Sequence, residues 1–395
     1  MKAVINENVT LFRYEKSHDD LFEGCWPIRD GVSINAYCVC GTEKKVLIDY
    51  TESGASFDSD LADMGLRLED IDILVLNHME PDHTGALNVL FTRCPNIEVY
   101  ATRLGATETE TLYGHKNVHV ITNGEELNIG GKTLVFYATP NIHWPDTMMT
   151  YIKEDGILFS CDAFGAFGSY QSVFDDELTE KEWALLKPET ERYYASIVAS
   201  FSPFVLRGIK ALSALDIKTI CPSHGIVWRK DPGYVVAWYQ KLATYLEGPR
   251  EKEITILISS MYGNTLSYIS NLVQIAKKEG IVVNTVRIPD TNDSYALEKV
   301  WRSEAFVVAA PTYEMELFPS MAHTLDLLNR KAVKGRKVLY FGSSLWSGGA
   351  AKEFNTYAEK MKLEVIDAIE FRGKGTPADR QRIEDGFKKL IEAIK

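Results

Sequence analysis

The chain has 395 residues, more than one compact core usually holds, so two domains are expected. A hydrophobic share of 45% and a charged share of 25% match an ordinary soluble globular protein. The formal net charge of −12 argues against general nucleic-acid binding, which needs a basic surface to displace counterions.

The N-terminal stretch from Met1 to Asn8 lacks the apolar core of a signal peptide, and no apolar run reads as long enough to span a bilayer. A cytoplasmic location without a membrane role is the default expectation. Short strands then follow one another: Val46–Ile48, Ile73–Leu76, Leu134–Tyr137, Ile157–Phe159 and Thr219–Cys221 are rich in branched or aromatic residues and end in turn formers. Helical patterns intervene at Ala55–Met64 and Tyr193–Ala214. This pattern predicts an αβ sandwich built on mixed sheets. The charged stretch Glu247-Gly248-Pro249-Arg250-Glu251-Lys252-Glu253 marks a boundary, giving domains at residues 1–249 and 250–395. Beyond it, strands at Ile254–Ile258, Val282–Arg287, Ala305–Ala310, Lys337–Phe341 and Glu364–Ala368 alternate with helices, the last from about Ala378 to Ile394. Five such strands predict a doubly wound parallel sheet. The six cysteines form no C-x-x-C pair, so a rubredoxin-like iron site or zinc ribbon is not expected, and they read as mostly buried thiols.

Titratable residues gather at the predicted strand ends of the first domain. His78-Met79-Glu80-Pro81-Asp82-His83 follows one strand, and His143, Asp162 and His224 follow others. In an extended segment His78 and Glu80 point the same way. Pro81 favours a turn, from which Asp82 and His83 project toward a second position, before Thr84-Gly85 opens a helix. Seven ligands exceed what one four-coordinate zinc takes but suit two metals, and a carboxylate such as Asp162 can bridge them. An isolated loop histidine is usually just solvated, and His18, His115, His119 and His323 fit that description.

In the second domain, Ser260-Met261-Tyr262-Gly263-Asn264-Thr265 lies between a strand and a helix. Hydroxyls, backbone amides and the positive end of a following helix stabilise a phosphate there, and glycine lets the backbone approach closely. A hydroxyl-rich loop without lysine suits the phosphate of FMN rather than a nucleoside triphosphate. Pro311-Thr312-Tyr313-Glu314 and Ser343-Ser344-Leu345-Trp346-Ser347-Gly348-Gly349 follow the third and fourth strands and are the expected walls of the ring site. Tyr313 and Trp346 are candidates to flank the ring, against an equal case for packing.

The metal cluster resembles the metallo-β-lactamase superfamily, whose usual pattern is His-x-His-x-Asp-His, but Glu80 stands at the second histidine position. The Ser260–Thr265 loop is similar to the flavodoxin fingerprint, with Ile258 where an aromatic residue is usual. His-x-Glu-x-Asp-His followed by a flavodoxin-like domain resembles the flavodiiron proteins over nearly the whole chain. That resemblance implies two irons and one FMN, and reduction of dioxygen to water, of nitric oxide to nitrous oxide, or of both. It assigns His78, Glu80 and His143 to one iron, Asp82, His83 and His224 to the other, and Asp162 to the bridge. Segments around Trp144 and Cys161 are similar as well, while Tyr193 and Tyr194 stand as alternatives for a hydroxyl at the site or for packing. The resemblance also implies an external donor, rubredoxin or a reduced deazaflavin. The chain stops soon after the flavodoxin-like domain, so no fused rubredoxin is expected. The short Gly248-Pro249 connection gives little freedom to bring the two sites together within a chain, so a head-to-tail homodimer, or a dimer of dimers, is expected. Two alternatives use the same residues: a zinc hydrolase with a redox-regulatory flavodoxin domain, and an electron carrier with a merely structural metal site. Glu80 argues against the first and the abundance of carboxylates against the second.

Overall fold

Strands rich in branched residues build three main sheets in this computed structural model, which describes residues 1–51 and 54–395. The chain divides into two compact units, residues 1–194 with 203–240, and residues 195–202 with 241–395.

The first unit contains a seven-stranded and a five-stranded sheet. In the larger one, Lys2–Val4, Val9–Lys16, Val32–Cys40 and Lys45–Ile48 pair antiparallel. Ile73–Val75, Glu98–Ala101 and Val118–Val120 then continue it in parallel. The smaller sheet runs Glu125–Asn128, Thr133–Ala138, Met148–Ile152, Ile157–Cys161 and Thr219–Pro222, antiparallel except for its last pair. Both sheets are therefore mixed, as expected. Val39, Ile48 and Val75 of one sheet and Phe136, Ile152 and Phe159 of the other share a single core. The far face of the larger sheet packs Leu47 and Leu74 with the helical residues Leu61, Leu87 and Leu90. Ile157–Cys161 is buried at every position, which explains why it reads as a continuous apolar run rather than an alternating one.

The helix expected at Tyr193 begins earlier. Thr179 caps it, with Glu182 completing a capping box, and it runs Glu180–Tyr193 with Pro188 inside. Proline reads as a breaker because it removes a backbone donor, yet the helix tolerates this one. A π turn at Tyr194–Val198 and a 3-10 turn at Ala199–Phe201 lead into a further helix, Ser202–Leu212. The expectation that no stretch could span a membrane is corrected: Glu180–Leu212 is long and apolar enough by length and composition. Half of its apolar window is buried within the protein, and a buried Glu189–Arg192 ion pair lies in the same stretch, so it is a core helix.

The second unit has a parallel sheet in the order Val282–Arg287, Glu251–Ile258, Ser303–Ala309, Lys337–Ser344, Glu364–Arg372. The order reverses at Glu251–Ile258, so a crevice opens beside its carboxyl end, where such sheets bind ligands. Two features differ from expectation. The helix after the Ser260–Thr265 loop is preceded by a 3-10 turn, Leu266–Tyr268, and becomes α only at Ile269–Lys278. A small hairpin, Thr312–Tyr313 with Glu316–Leu317, follows the third strand. Two-residue strands are too short to show a period in sequence.

Candidate functional site

Between the Ile73–Val75 strand and Pro81 the chain forms no helix, and Glu80 itself is extended, with φ and ψ of −60° and 141°. Residues before proline are held out of the helical region, which explains this. Pro81 then opens a helical turn, Pro81–Thr84, for which its fixed φ and missing amide hydrogen are suited. Asp82 and His83 therefore sit on the first helical turn itself, not on a turn preceding a helix at Thr84. The other candidates also leave strand ends. Asp162 follows Ile157–Cys161, and His224 follows its parallel neighbour Thr219–Pro222, held by the Ser223 amide donating to the Cys161 carbonyl at 2.8 Å. His143 lies in the loop between Thr133–Ala138 and Met148–Ile152.

All seven expected ligands converge, in two groups that share one carboxylate. In the first, Glu80 Oε2 lies 3.3 Å from His78 Nε2 and 3.1 Å from His143 Nε2. Asp162 Oδ2 faces the same two nitrogens at 3.5 and 3.4 Å. In the second, Asp162 Oδ1 lies 3.1 Å from His83 Nε2 and 3.2 Å from His224 Nε2. Asp82 completes that group, with its two oxygens 3.6 Å from His83 and 3.3 Å from His224. One carboxylate thus offers one oxygen to each group.

The outer partners of the imidazoles fix which nitrogen points inward. His78 Nδ1 meets Asp146 Oδ2 at 3.1 Å, and the same oxygen accepts the Met79 amide at 2.7 Å. His83 Nδ1 lies 3.4 Å from Asp49 Oδ2, whose other oxygen accepts the Asn77 amide at 2.9 Å. His224 Nδ1 meets the Ser33 carbonyl at 3.1 Å. Such partners orient ligand histidines and strengthen their basicity. Asp49 and Ser33 carry no local sequence signal, since each lies far along the chain from the histidine it meets; Asp146 was visible only as part of the segment after His143.

Burial opposes charge on His78, His83, His224, Glu80, Asp82 and Asp162, and pairing overrides it. His78 is lifted to about 10 by hydrogen bonds to Asp146 and Glu80 and by the Asp162 charge. His224 rises to about 9 through Asp162 and Asp82, and His83 rises as well. Asp82 falls to about 2 beside His83 and His224, and Asp162 falls too. Despite this proximity, both oxygens of Asp82, both of Asp162, and Nε2 of His83 and of His224 make no hydrogen bond of proper geometry. Buried polar atoms left in this way need another partner. Three carboxylates and four imidazoles facing one another fit a pair of metal ions. Asp49, His83 and Cys161 form a further close group, but burial pushes the Cys161 thiol up, which keeps it neutral and a poor ligand.

Tyr193 lies at the edge of the cluster, its ring 5.7 Å from His224 and its buried hydroxyl without a hydrogen bond. Tyr194 instead packs edge-on against Tyr239, at 5.2 Å. His18, His119 and His323 are exposed, and His115 stacks on Phe91 at 4.1 Å. Of the cysteines, four are buried, Cys40 is half-buried and Cys25 exposed.

In the second unit a cavity of about 420 Å³ opens at the strand ends, lined by Met261, Tyr262 and Asn264, by Thr312–Met315 and by Ser343–Gly348. Gly373 completes the lining, and neither it nor Met315 was expected there. Of the expected residues, Ser260, Gly263, Thr265, Pro311 and Gly349 lie outside the lining and shape the loops instead. Ser260 Oγ accepts the Gly263 amide at 3.1 Å, Thr265 Oγ1 accepts the Ser343 amide at 3.3 Å, and Gly263 has a φ of +85°. The lining holds no lysine or arginine, and its aromatic rings are open to solvent: Tyr262 is 89% exposed, Trp346 80% and Tyr313 40%. Bare aromatic faces around a hydroxyl-rich loop fit a flat ring with a phosphate tail.

Comparison with known proteins agrees with both halves. Residues 32–225 match the family described as ODP family beta lactamase, and residues 256–392 match Flavodoxin. The chain is 34% identical over 372 residues to an anaerobic nitric oxide reductase flavorubredoxin of Aeromonas salmonicida, covering 89% of this chain and 69% of that protein. A variant of the flavo di-iron protein from Thermotoga maritima is similar in structure, with 30% identity, a TM-score of 0.89, and 99% and 98% of the two chains covered. The flavodiiron protein from Giardia intestinalis gives 25% identity and a TM-score of 0.93, covering 100% and 97%. The rubredoxin oxygen:oxidoreductase of Desulfovibrio gigas gives 25% and 0.90, covering 100% and 98%.

The outer carboxylates generate a prediction. Asp146→Asn keeps the shape but loses the anionic partner of His78, so metal affinity should fall about 10- to 100-fold. Competition with a chromophoric chelator measures this, and His115→Asn, remote from the cluster, should leave the affinity unchanged.

Proposed function

This chain belongs to the flavodiiron protein family, and from that premise we propose that it reduces dioxygen to water, nitric oxide to nitrous oxide, or both, drawing electrons from an external donor through FMN. It is an oxidoreductase with FMN and a diiron centre as its cofactors. We assign the metal domain to residues 1–249 and the FMN domain to 250–395. His78, Glu80 and His143 hold one iron, Asp82, His83 and His224 the other, and Asp162 bridges. The observation that carries this assignment is the division of the Asp162 carboxylate, one oxygen toward each group.

When bound, two irons supply electrons and adjacent binding positions for the gas. The protein's own contribution is selective retention and seclusion. Glu80 puts a hard anionic oxygen where a zinc hydrolase has an imidazole, which favours iron. Asp146, Asp49 and the Ser33 carbonyl hold the imidazoles so that Nε2 faces inward. Burial of the ligands keeps bulk water away from the reacting gas. One observation weighs against the hydrolase alternative: the cavity beside Ile142 and Ala163, about 410 Å³, is walled mainly by apolar side chains such as Leu158, Phe164 and Val205. That lining offers little to an ester or phosphate. The names of two relatives, flavorubredoxin and rubredoxin oxygen:oxidoreductase, favour a rubredoxin-type donor over a reduced deazaflavin.

Purified protein should contain about two irons and one FMN per chain and, once reduced anaerobically, consume at least one of the two gases. Full activity with zinc alone would overturn the reading. Glu80→His should shift retention from iron toward zinc when both are supplied at equal free concentration, as read by elemental analysis. An unchanged preference removes Glu80 as the discriminating residue.

We further propose that electrons cross between chains of a head-to-tail dimer, in which each interface creates two equivalent sites. A His143→Ala chain and a Ser260→Ala/Thr265→Ala chain, each inactive alone through loss of its cofactor, should regain part of the activity when co-expressed. Mixed dimers identified by mass spectrometry but inactive would favour transfer within one chain.

A further inference from the structure

The cavity assigned to FMN is walled by two separate loops, Thr312–Met315 after the third strand and Ser343–Gly348 after the fourth. One side chain outside the cavity lining joins them. Glu370 lies on the last strand, Glu364–Arg372, in register with Gly342 of the strand that feeds the second loop. Its Oε1 accepts two hydrogen bonds, one from Thr312 Oγ1 at 2.7 Å and one from the Gly349 amide at 2.9 Å. Thr312 Oγ1 in turn accepts the Ala350 amide at 3.4 Å, which closes a ring of contacts between the loops.

The surrounding backbone leaves this ring little slack. A Cβ on Gly349, whose φ is +130°, would lie 2.0 Å from the Met315 carbonyl oxygen, so the two loops touch backbone to backbone there. A Cβ on Gly348 would lie 3.1 Å from Glu370 Oε1 itself. Glu353 secures the far end of the hairpin, accepting the Leu317 amide at 2.6 Å. Hydrogen bonds to a carboxylate are about twice as strong as neutral ones, and a shared acceptor couples the two donors.

We propose that Glu370 is a positioning residue for the flavin: its carboxylate ties the two ring-binding loops into one preformed wall. The inference rests on the reading that FMN occupies this cavity. A flat ring held by residues of both loops, Tyr313 on one and Trp346 on the other, would need the loops at a fixed separation. Ordering them in advance spares the ligand that cost on binding. Sequence alone gives no hint of this role, because Glu370 is far from either loop along the chain.

The test uses the full-length protein with its iron retained and its flavin removed. Hydrogen exchange of the amides in 312–317 and 345–350 is compared for wild type, Glu370→Ala, Glu370→Gln and Thr312→Val, followed by fluorescence titration with FMN. Glu370→Ala should speed exchange in both loops together and raise the FMN Kd roughly tenfold or more. Glu370→Gln keeps an oxygen that can accept both bonds and should stay within about threefold of wild type. Thr312→Val removes one donor and should fall between them. That graded series separates the tether from general loss of packing. Loops that loosen without a change in Kd, or a Glu370→Ala protein that exchanges like wild type, overturn the proposal. Wild-type protein that takes up no FMN sinks the functional reading instead, while the exchange data still decide whether Glu370 couples the loops.

Discussion

A carboxylate fully buried between two pairs of imidazoles is the constraint on which the first unit depends. Asp162 is 1% exposed, and neither of its oxygens has a hydrogen bond of proper geometry. Burying such an ion is costly unless opposite charge surrounds it. In the metal-free state that charge comes from imidazolium groups, which is why His78, His83 and His224 all rise while Asp82 and Asp162 fall. Metal ions would take the place of those protons without moving the ligands far, since the facing atoms already lie 3.1 to 3.6 Å apart. The sheet around them serves this arrangement. Asp162 and His224 leave adjacent parallel strands of one sheet, the His78–His83 segment leaves the other, and their shared core fixes the separation.

The flavin end follows a different rule. Its cavity is open and its aromatic rings are exposed, whereas the residues proposed as metal ligands are nearly all buried. An open, aromatic-lined cavity leaves the edge of a bound ring within reach of solvent, while burial keeps bulk solvent away from a metal pair. The two units thus meet opposite demands with similar material, since both place their functional residues at the carboxyl ends of strands.

Much of this was legible in the sequence because the ligands form a short spaced cluster and the flavin loops each follow a strong apolar run. The two-residue period brought His78 and Glu80 to one side, and Pro81 marked the change of direction, although it starts the helix rather than preceding it. What stayed hidden depends on contacts between distant segments. Asp49 and Ser33 reach histidines distant from them along the chain, and Glu370 joins loops that the sequence separates. The extended helix from Glu180 was obscured for another reason: Pro188 is a local breaker, and packing outweighs it. Met315 and Gly373 line the cavity proposed for FMN only because the small hairpin and the end of the last strand turn toward it.

The measurement closest to the central claim is anomalous X-ray diffraction from crystals of the iron-loaded protein, recorded on both sides of the iron absorption edge. Two iron peaks are predicted, one among His78, Glu80 and His143 and the other among Asp82, His83 and His224, with one Asp162 oxygen bound to each. A single peak, or a second peak that follows the zinc edge instead, would contradict the account.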